Sequence, residues 1–376
     1  MRLSPAWLAV IAMFGTPGSS ARAGDTLIPP LRLGDDQAYL QLYGQFSPSL
    51  LVVDNGQSTL GYGPVDNSNA SSRLGLRLHV GISSGTYLGA DLEAEYDGYA
   101  TDYVNPFNRG GYDGYGALLR HAEGYLDSRQ FGVLWIGQGN MASDETAEVD
   151  LSGTKVVGYS SVNDLAGGQF FAYSRDKGLS AITVTDAFSN FDGLGRKLRI
   201  RYDTPTFAGL TFSASYGREV VPEVIGDDVW DLALRYAGDS GGFKVAAAAA
   251  YSNTGTSDLF DGSASILHVA TGISITGAAG YNAADAGFDG RYLYGKLGYQ
   301  HRFLGVGTTA FAIDAYVGDD INAVAGESLS WGAFLVQDFD YYQAQVYLGI
   351  RSYAYDDGAA DYDRLVATMA GLLVRF

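Results

Sequence analysis

The chain has no cysteine among its 376 residues, which excludes a disulfide framework, a thiolate metal site and a thiol nucleophile. Histidine is nearly as scarce. His79, His121, His268 and His301 fall in separate segments, without the spacing that gathers imidazoles on a metal. Positive charge is short as well, with 24 Lys and Arg against 42 Asp and Glu. A nucleic-acid partner needs the opposite balance, because phosphates are met by Lys and Arg. No apolar run reaches the roughly 20 residues of a membrane-spanning helix.

At the N-terminus, Arg2, the apolar stretch from Ala6 to Phe14 and the small-x-small triplet Ala21-Arg22-Ala23 follow the order of a secretory signal peptide, predicting cleavage after Ala23. Pro17 and Gly18 interrupt the stretch and argue against a membrane anchor. Residues 24–376 are then expected to form one domain. The leader holds Arg2 and Arg22 and no acid, so its removal leaves 22 bases against 42 acids. Disorder is one fate of so acidic a chain, but 27 Tyr, 18 Phe and 51 Gly do not match the aromatic-poor composition of unfolded segments. An exported chain without disulfides needs another source of cohesion, and a closed ladder of backbone hydrogen bonds supplies one.

The pattern along the chain has the period of such a ladder. Leu74, Leu76, Leu78, Val80 and Ile82 alternate with Arg73, Gly75, Arg77, His79 and Gly81. After a turn at Ser84-Gly85, Leu88, Ala90, Leu92, Ala94 and Tyr96 share one face, and Asp91, Glu93, Glu95 and Asp97 the other. This is a hairpin with one apolar and one polar face. A soluble sandwich alternates in the same way, so the period alone does not separate the two. Apolar faces of about 9 to 11 residues, aromatics near strand ends, and connections of alternating length favour a membrane barrel.

Sixteen strands are expected, near 38–53, 70–83, 86–98, 117–128, 130–139, 196–204, 209–218, 228–237, 242–252, 263–270, 273–282, 290–303, 307–318, 328–338, 342–355 and 364–376. The number is even, as in bacterial barrels. The last strand closes on the first near Tyr39 to Phe46 to leave no open edge, with Ala370, Leu372, Val374 and Phe376 facing lipid. From about 140 to 195 the chain leaves the ladder, and so long a connection is usually functional. Its acids Asp144, Glu145, Glu148, Asp150 and Asp164 suit a lumen, while Val156, Val157, Leu165, Phe170 and Phe171 suit packing on a wall.

The stretch from Arg199 to Gly217, with Arg201-Tyr202-Asp203-Thr204-Pro205-Thr206-Phe207-Ala208-Gly209 at its centre, resembles a strand-turn-strand of the general Gram-negative outer-membrane porins. Ser72-Arg73-Leu74-Gly75-Leu76 is similar to the same family, as are the segment from Phe131 to Gln138 and the turn His268-Val269-Ala270-Thr271-Gly272. Gln138-Gly139 stands where the family usually has Arg-Gln, and Ala270 where it often has Pro, so one basic group of the expected pore wall is missing. The resemblance implies an all-β, 16-stranded antiparallel transmembrane barrel in the bacterial outer membrane. It also implies a homotrimer, a third loop folded into the lumen, lipid and lipopolysaccharide around the wall, and passive diffusion of small hydrophilic solutes.

Within that frame, Arg73, Arg77, Lys197, Arg199, Arg201 and Arg351 are the candidates for a basic pore wall, with His79, Gln343 and Gln345 on the same polar faces. Asp144, Glu145, Glu148, Asp150 and Asp164 are the candidates for an acidic constriction loop. The first pair has an equally good structural reading. Arg77 should lie opposite Asp91 or Glu93, and Arg73 opposite Glu95 or Asp97, as cross-strand ion pairs. No acid neighbour is evident for Lys197, Arg199 and Arg201. The acid row on residues 91–97 is read as a solvated face rather than a cation site. No catalytic residue, metal or cofactor is expected. A general porin, a substrate-specific channel and an adhesion or structural barrel remain as functions. The excess of acid predicts mild cation preference, and the row Val245, Ala247 and Ala249 would suit subunit contact.

Overall fold

Alternation along the chain is realised as sixteen antiparallel staves. The computed structural model describes residue 27 and residues 31–96, 98–109, 117–175, 178–220 and 226–376, so the expected signal peptide and Asp97 lie outside the described residues. β1 runs Ala38–Phe46 and continues past Ser47 as Pro48–Asp54. Then come β2 (Arg73–Ser83), β3 (Thr86–Tyr96), β4 (Ala117–Ser128), β5 (Gly132–Asn140) and β6 (Arg196–Asp203). β7 (Leu210–Arg218), β8 (Asp228–Ser240), β9 (Phe243–Asn253), β10 (Ser257–His268) and β11 (Ile273–Ala284) follow. β12 (Gly290–Leu304), β13 (Gly307–Asp319), β14 (Glu327–Phe339), β15 (Ala344–Asp356) and β16 (Leu365–Arg375) complete the wall. Each pairs with the next, and β16 returns to β1.

β10 starts at Ser257, earlier than the alternation suggested, because Asp261 and Ser263 are lumen-facing strand residues rather than loop. The seam also differs from expectation. β16 spends its first pairs on Ser49–Asp54 and reaches β1 again only at Val374↔Phe46 and Arg375↔Gln45. Gly44 and Phe376 then exchange two backbone hydrogen bonds of 3.0 Å. Below them the short strand Leu31–Gly34 takes over, with Leu31 opposite Leu42 and Gly34 opposite Tyr39. Both segments run antiparallel to β1, so the sixteenth stave is shared between the C-terminal strand and Leu31–Gly34. No edge of β1 is left to template another strand.

The apolar faces point outward. Leu74 is 52% exposed, Leu293 61% and Ile313 59%, and similar side chains recur around the wall. A sandwich would bury this face; a closed barrel gives it to lipid tails. The interior has a core of its own. On the β12 to β16 side, Tyr294, Phe334, Tyr353, Leu365 and Met369 pack with Val156, Val157, Leu165, Phe171 and Phe188 of the 141–195 loop. Phe170 is half-buried and meets Phe107 edge-on at 5.7 Å. A short hairpin strand, Thr59–Asp66, pairs with Pro48–Asp54 and adds Tyr62 and Val65 to the same core.

Candidate functional site

A loop laid along a wall without joining its ladder must satisfy its backbone groups otherwise. Here short side chains on the facing staves do so. Asp231 on β8 accepts from the amides of Ala142 and Ser143 at 3.3 and 2.8 Å, and Ser263 and Ser265 on β10 accept from those of Val149 and Leu151 at 2.8 and 3.0 Å. The carbonyls are held as well. Arg201 Nη1 donates to Met141 O at 2.9 Å, Arg235 to Asp144 O at 2.7 Å, Tyr316 to Ser189 O at 2.6 Å and Tyr353 to Val162 O at 2.7 Å. Lys296 Nζ, fully buried on β12, reaches Asp150 at 2.6 Å and Gly158 O at 2.7 Å.

With the loop packed against β12 to β16, open space is left beside β2 to β6 and β16. There a cavity of about 380 Å³ lies between the loop and the wall. From the wall come Arg73, Arg120, Arg196, Arg375 and Glu95; from the loop come Asp144, Glu145, Glu148, Lys155, Asp164 and Asp192, with Asp102 beside them. The wall arginines are unevenly neutralised. Arg120 binds Glu93 at 2.6 Å and Glu95 at 2.5 Å, whereas Arg73 is 3.9 Å from Glu93, Arg196 is 3.8 Å from Glu95, and Arg375 meets Gln345 Oε1 at 3.2 Å.

The loop acids are not equivalent. Burial raises Glu148 to about 7, with Glu145 and Asp144 adding to the shift and Lys155 opposing it. Burial likewise holds Asp164 and Asp192 well above the carboxylate range, with Asp102 and Glu148 adding to the first and Glu148 and Asp144 to the second. For Glu145 burial is outweighed, because Lys155, Arg73, Arg120 and Arg196 hold its carboxyl below the usual value. The loop therefore holds Glu145 shifted toward its ionised form, Glu148 at about 7, and Asp164 and Asp192 shifted toward their protonated forms.

Of the expected basic residues, Arg73 lines this cavity. Arg77 instead forms a two-pronged pair with Asp91, both contacts at 2.9 Å, in the register that opposes them. The expectation that Lys197, Arg199 and Arg201 lack acids is corrected. Lys197 binds Glu219 at 2.6 Å, Arg199 is buried against Glu123, and Arg201 binds Asp203 at 2.9 Å. Arg351 is buried with Asp314 at 2.6 Å behind the loop. His79 joins a lumenal aromatic row, Gln343 caps the turn before β15, and Gln345 donates to Asp338 at 2.8 Å. Asp144, Glu145, Glu148 and Asp164 line the cavity, while Asp150 is spent on Lys296.

Arg120, Arg196, Arg375, Lys155 and Asp192 were missed. Arg120 was hidden by a register shift between Glu93 and Ala94, which turns it inward against the parity of His121 and Glu123. Arg375 was legible, since it alternates with the outward Val374. Gly81 to Gly85 and Gly238 to Gly242 have the Gly-x-Ser-x-Gly spacing of a nucleophile elbow, but both lie in strand-to-strand hairpins rather than strand-to-helix turns.

A sequence model of the Gram-negative porins matches residues 7–360. The chain belongs to that family. Solved structures agree on the fold. The anion-selective porin from Comamonas acidovorans superposes with a TM-score of 0.61 at 16% identity, covering 90% of this chain and all of that one. OmpF of Salmonella typhi, in complex with daunomycin, gives 0.57 at 12% identity over 92% and 100% of the two chains. OmpT of Vibrio cholerae in its trimer form gives 0.56 at 12% identity over 91% and 100%. No curated protein sequence matches significantly. This porin is an outer-membrane barrel and a channel for passive diffusion, with its short turns on the periplasmic side and its long loops outside.

Proposed function

We propose that the porin is a general diffusion channel whose 141–195 loop sets the narrowest point, matured by cleavage after Ala23 and assembled as a homotrimer in lipid and lipopolysaccharide. The observation that carries this reading is the cavity of about 380 Å³, with arginines on the wall and carboxylates on the loop. Opposed charges across a narrow passage orient water and dipolar solutes without binding any one of them tightly. The trimer form of the Vibrio cholerae protein supports the assembly. Because Lys155 and four arginines stand among the loop acids around the cavity, the cation preference is weak.

A substrate-specific channel is favoured by a different observation. Tyr39, His79, Tyr87, Tyr125 and Trp135 stand on β1 to β5 as a lumenal row, with centroid spacings of 5.0 Å for Tyr39 to His79, 4.6 Å for His79 to Tyr87 and 4.8 Å for Tyr125 to Trp135. Liposome swelling with sugars of graded size decides. A smooth fall in rate with size supports the general channel, saturation by one solute supports the specific one, and no flux rejects both in favour of a structural or adhesive barrel.

A further inference from the structure

A second hollow lies on the outside of the barrel. It has a volume of about 750 Å³ and sits where the β2–β3 and β4–β5 turns meet the outer faces of β4 to β6. Its floor is apolar, made by Leu126, Leu134 and Tyr202, and Phe131, 68% exposed, forms one lip. The lip is fixed in place. Tyr202 Oη donates to Phe131 O at 2.7 Å, and the Arg129 amide donates to Gly85 O at 2.8 Å, which lays the arginine stem over a glycine.

We propose that this hollow binds one phospholipid of the periplasmic leaflet, its phosphate on Arg129 and an acyl chain against Leu126 and Leu134. Three observations favour that occupant. The floor belongs to the outward rows that face lipid tails. The rim belongs to the short turns, which stand at headgroup depth on the periplasmic side. Charge is the third. Arg302, by the β12–β13 turn, is satisfied by Asp340 at 2.8 Å and Arg32 by Asp36 at 3.0 Å, but no carboxylate of the described residues lies within 4.0 Å of Arg129. Asp127, whose charge it feels, points into the lumen. An unpaired guanidinium over an apolar floor complements a phosphodiester with hydrocarbon below it. A second copy of the chain seated here would have to desolvate that charge without a partner.

Native mass spectrometry of the whole oligomer in neutral detergent tests the site, with phosphatidylglycerol and an uncharged diacylglycerol as probes. The wild type should retain phosphatidylglycerol in preference to diacylglycerol, and Arg129→Gln should lower that retention about fivefold, the factor matching about 1 kcal/mol for one basic group at a lipid surface. Phe131→Ala should weaken retention of both probes. Equal phosphatidylglycerol retention by wild type and R129Q overturns the proposal. So does an R129Q oligomer that dissociates at a lower temperature with lipid retention unchanged, since that assigns the hollow to a neighbouring copy.

Discussion

Lys155 Nζ lies 3.4 Å from Glu148 Oε2 within the same loop, and the two share the cavity edge with Glu145. Burial raises Glu148 to about 7, while the charges of Glu145 and Glu148 outweigh burial at Lys155 and push its ammonium upward. Lys155 thus stays charged through the neutral range, and Glu148 is the group that changes. Above its midpoint it adds one negative charge to the passage; below it that charge is gone. Cation preference, read as the reversal potential in a KCl gradient, should therefore rise as pH increases through 7. In Glu148→Gln this step should vanish, and an unchanged step would place the titrating group elsewhere. Stability runs the other way. The folded carboxyl binds its proton more tightly than an unfolded one, so the loop weakens as pH rises through about 7.

Alternation from Arg73 to Ile82 was enough to place β2, its lipid face and the Arg77–Asp91 register, because those partners sit across a two-residue turn. The same reasoning failed for Lys197, whose acid Glu219 stands one residue past the end of β7, beyond the Leu198↔Arg218 pair of the next hairpin, and for Arg199, whose acid Glu123 is 76 residues away on β4, across the intervening β5. Asp150 was misassigned for a similar reason. A carboxylate in a long loop looks solvated until a lysine 146 residues away is found buried against it. Arg120 escaped because one extra residue in a strand reverses its parity, and no composition signal marks where that residue sits.

The buried Asp150–Lys296 pair makes a prediction about the loop alone. Removing one member of such a pair leaves an uncompensated charge and costs about 3 to 5 kcal/mol. Asp150→Asn should leave the barrel ladder intact yet speed hydrogen exchange of the Val149 and Leu151 amides, which rest on Ser263 and Ser265. Single-channel records should become noisier as the loop fluctuates. The double replacement Asp150→Leu with Lys296→Met should recover much of the protection, since it removes both charges. If D150N exchanges like wild type, the pair does not anchor the loop.

Arg73 and Lys197 separate wall charges that face the passage from those that do not. Arg73 lines the cavity and is only loosely paired, at 3.9 Å, whereas Lys197 is tied to Glu219 at 2.6 Å. At a distance of about 4 Å in water two unit charges interact by about 1 kcal/mol, so R73Q should raise the cation-to-anion permeability ratio by about two- to fivefold. K197Q should change it much less. Equal shifts from the two variants would move the narrow point toward β6.

The composite sixteenth stave depends on a space that only glycine leaves. A Cβ built on Gly44 would fall 2.6 Å from the carbonyl oxygen of Arg73 and 2.7 Å from Cζ of the Phe376 ring. The ring end could swing aside, but the carbonyl belongs to β2 and is fixed by the ladder. Gly44→Ala must therefore part β1 from β2 or lift Phe376 from the seam, at a cost of about 1 to 3 kcal/mol for overpacking. The folded, heat-modifiable band on a cold gel should then convert to the unfolded mobility at a lower temperature than in wild type. Phe376→Leu combined with G44A separates the causes. Recovery of the wild-type transition would locate the conflict at the ring, and no recovery would locate it at the β2 backbone. A G44A protein that converts at the wild-type temperature would show that the seam has slack that these contacts do not allow.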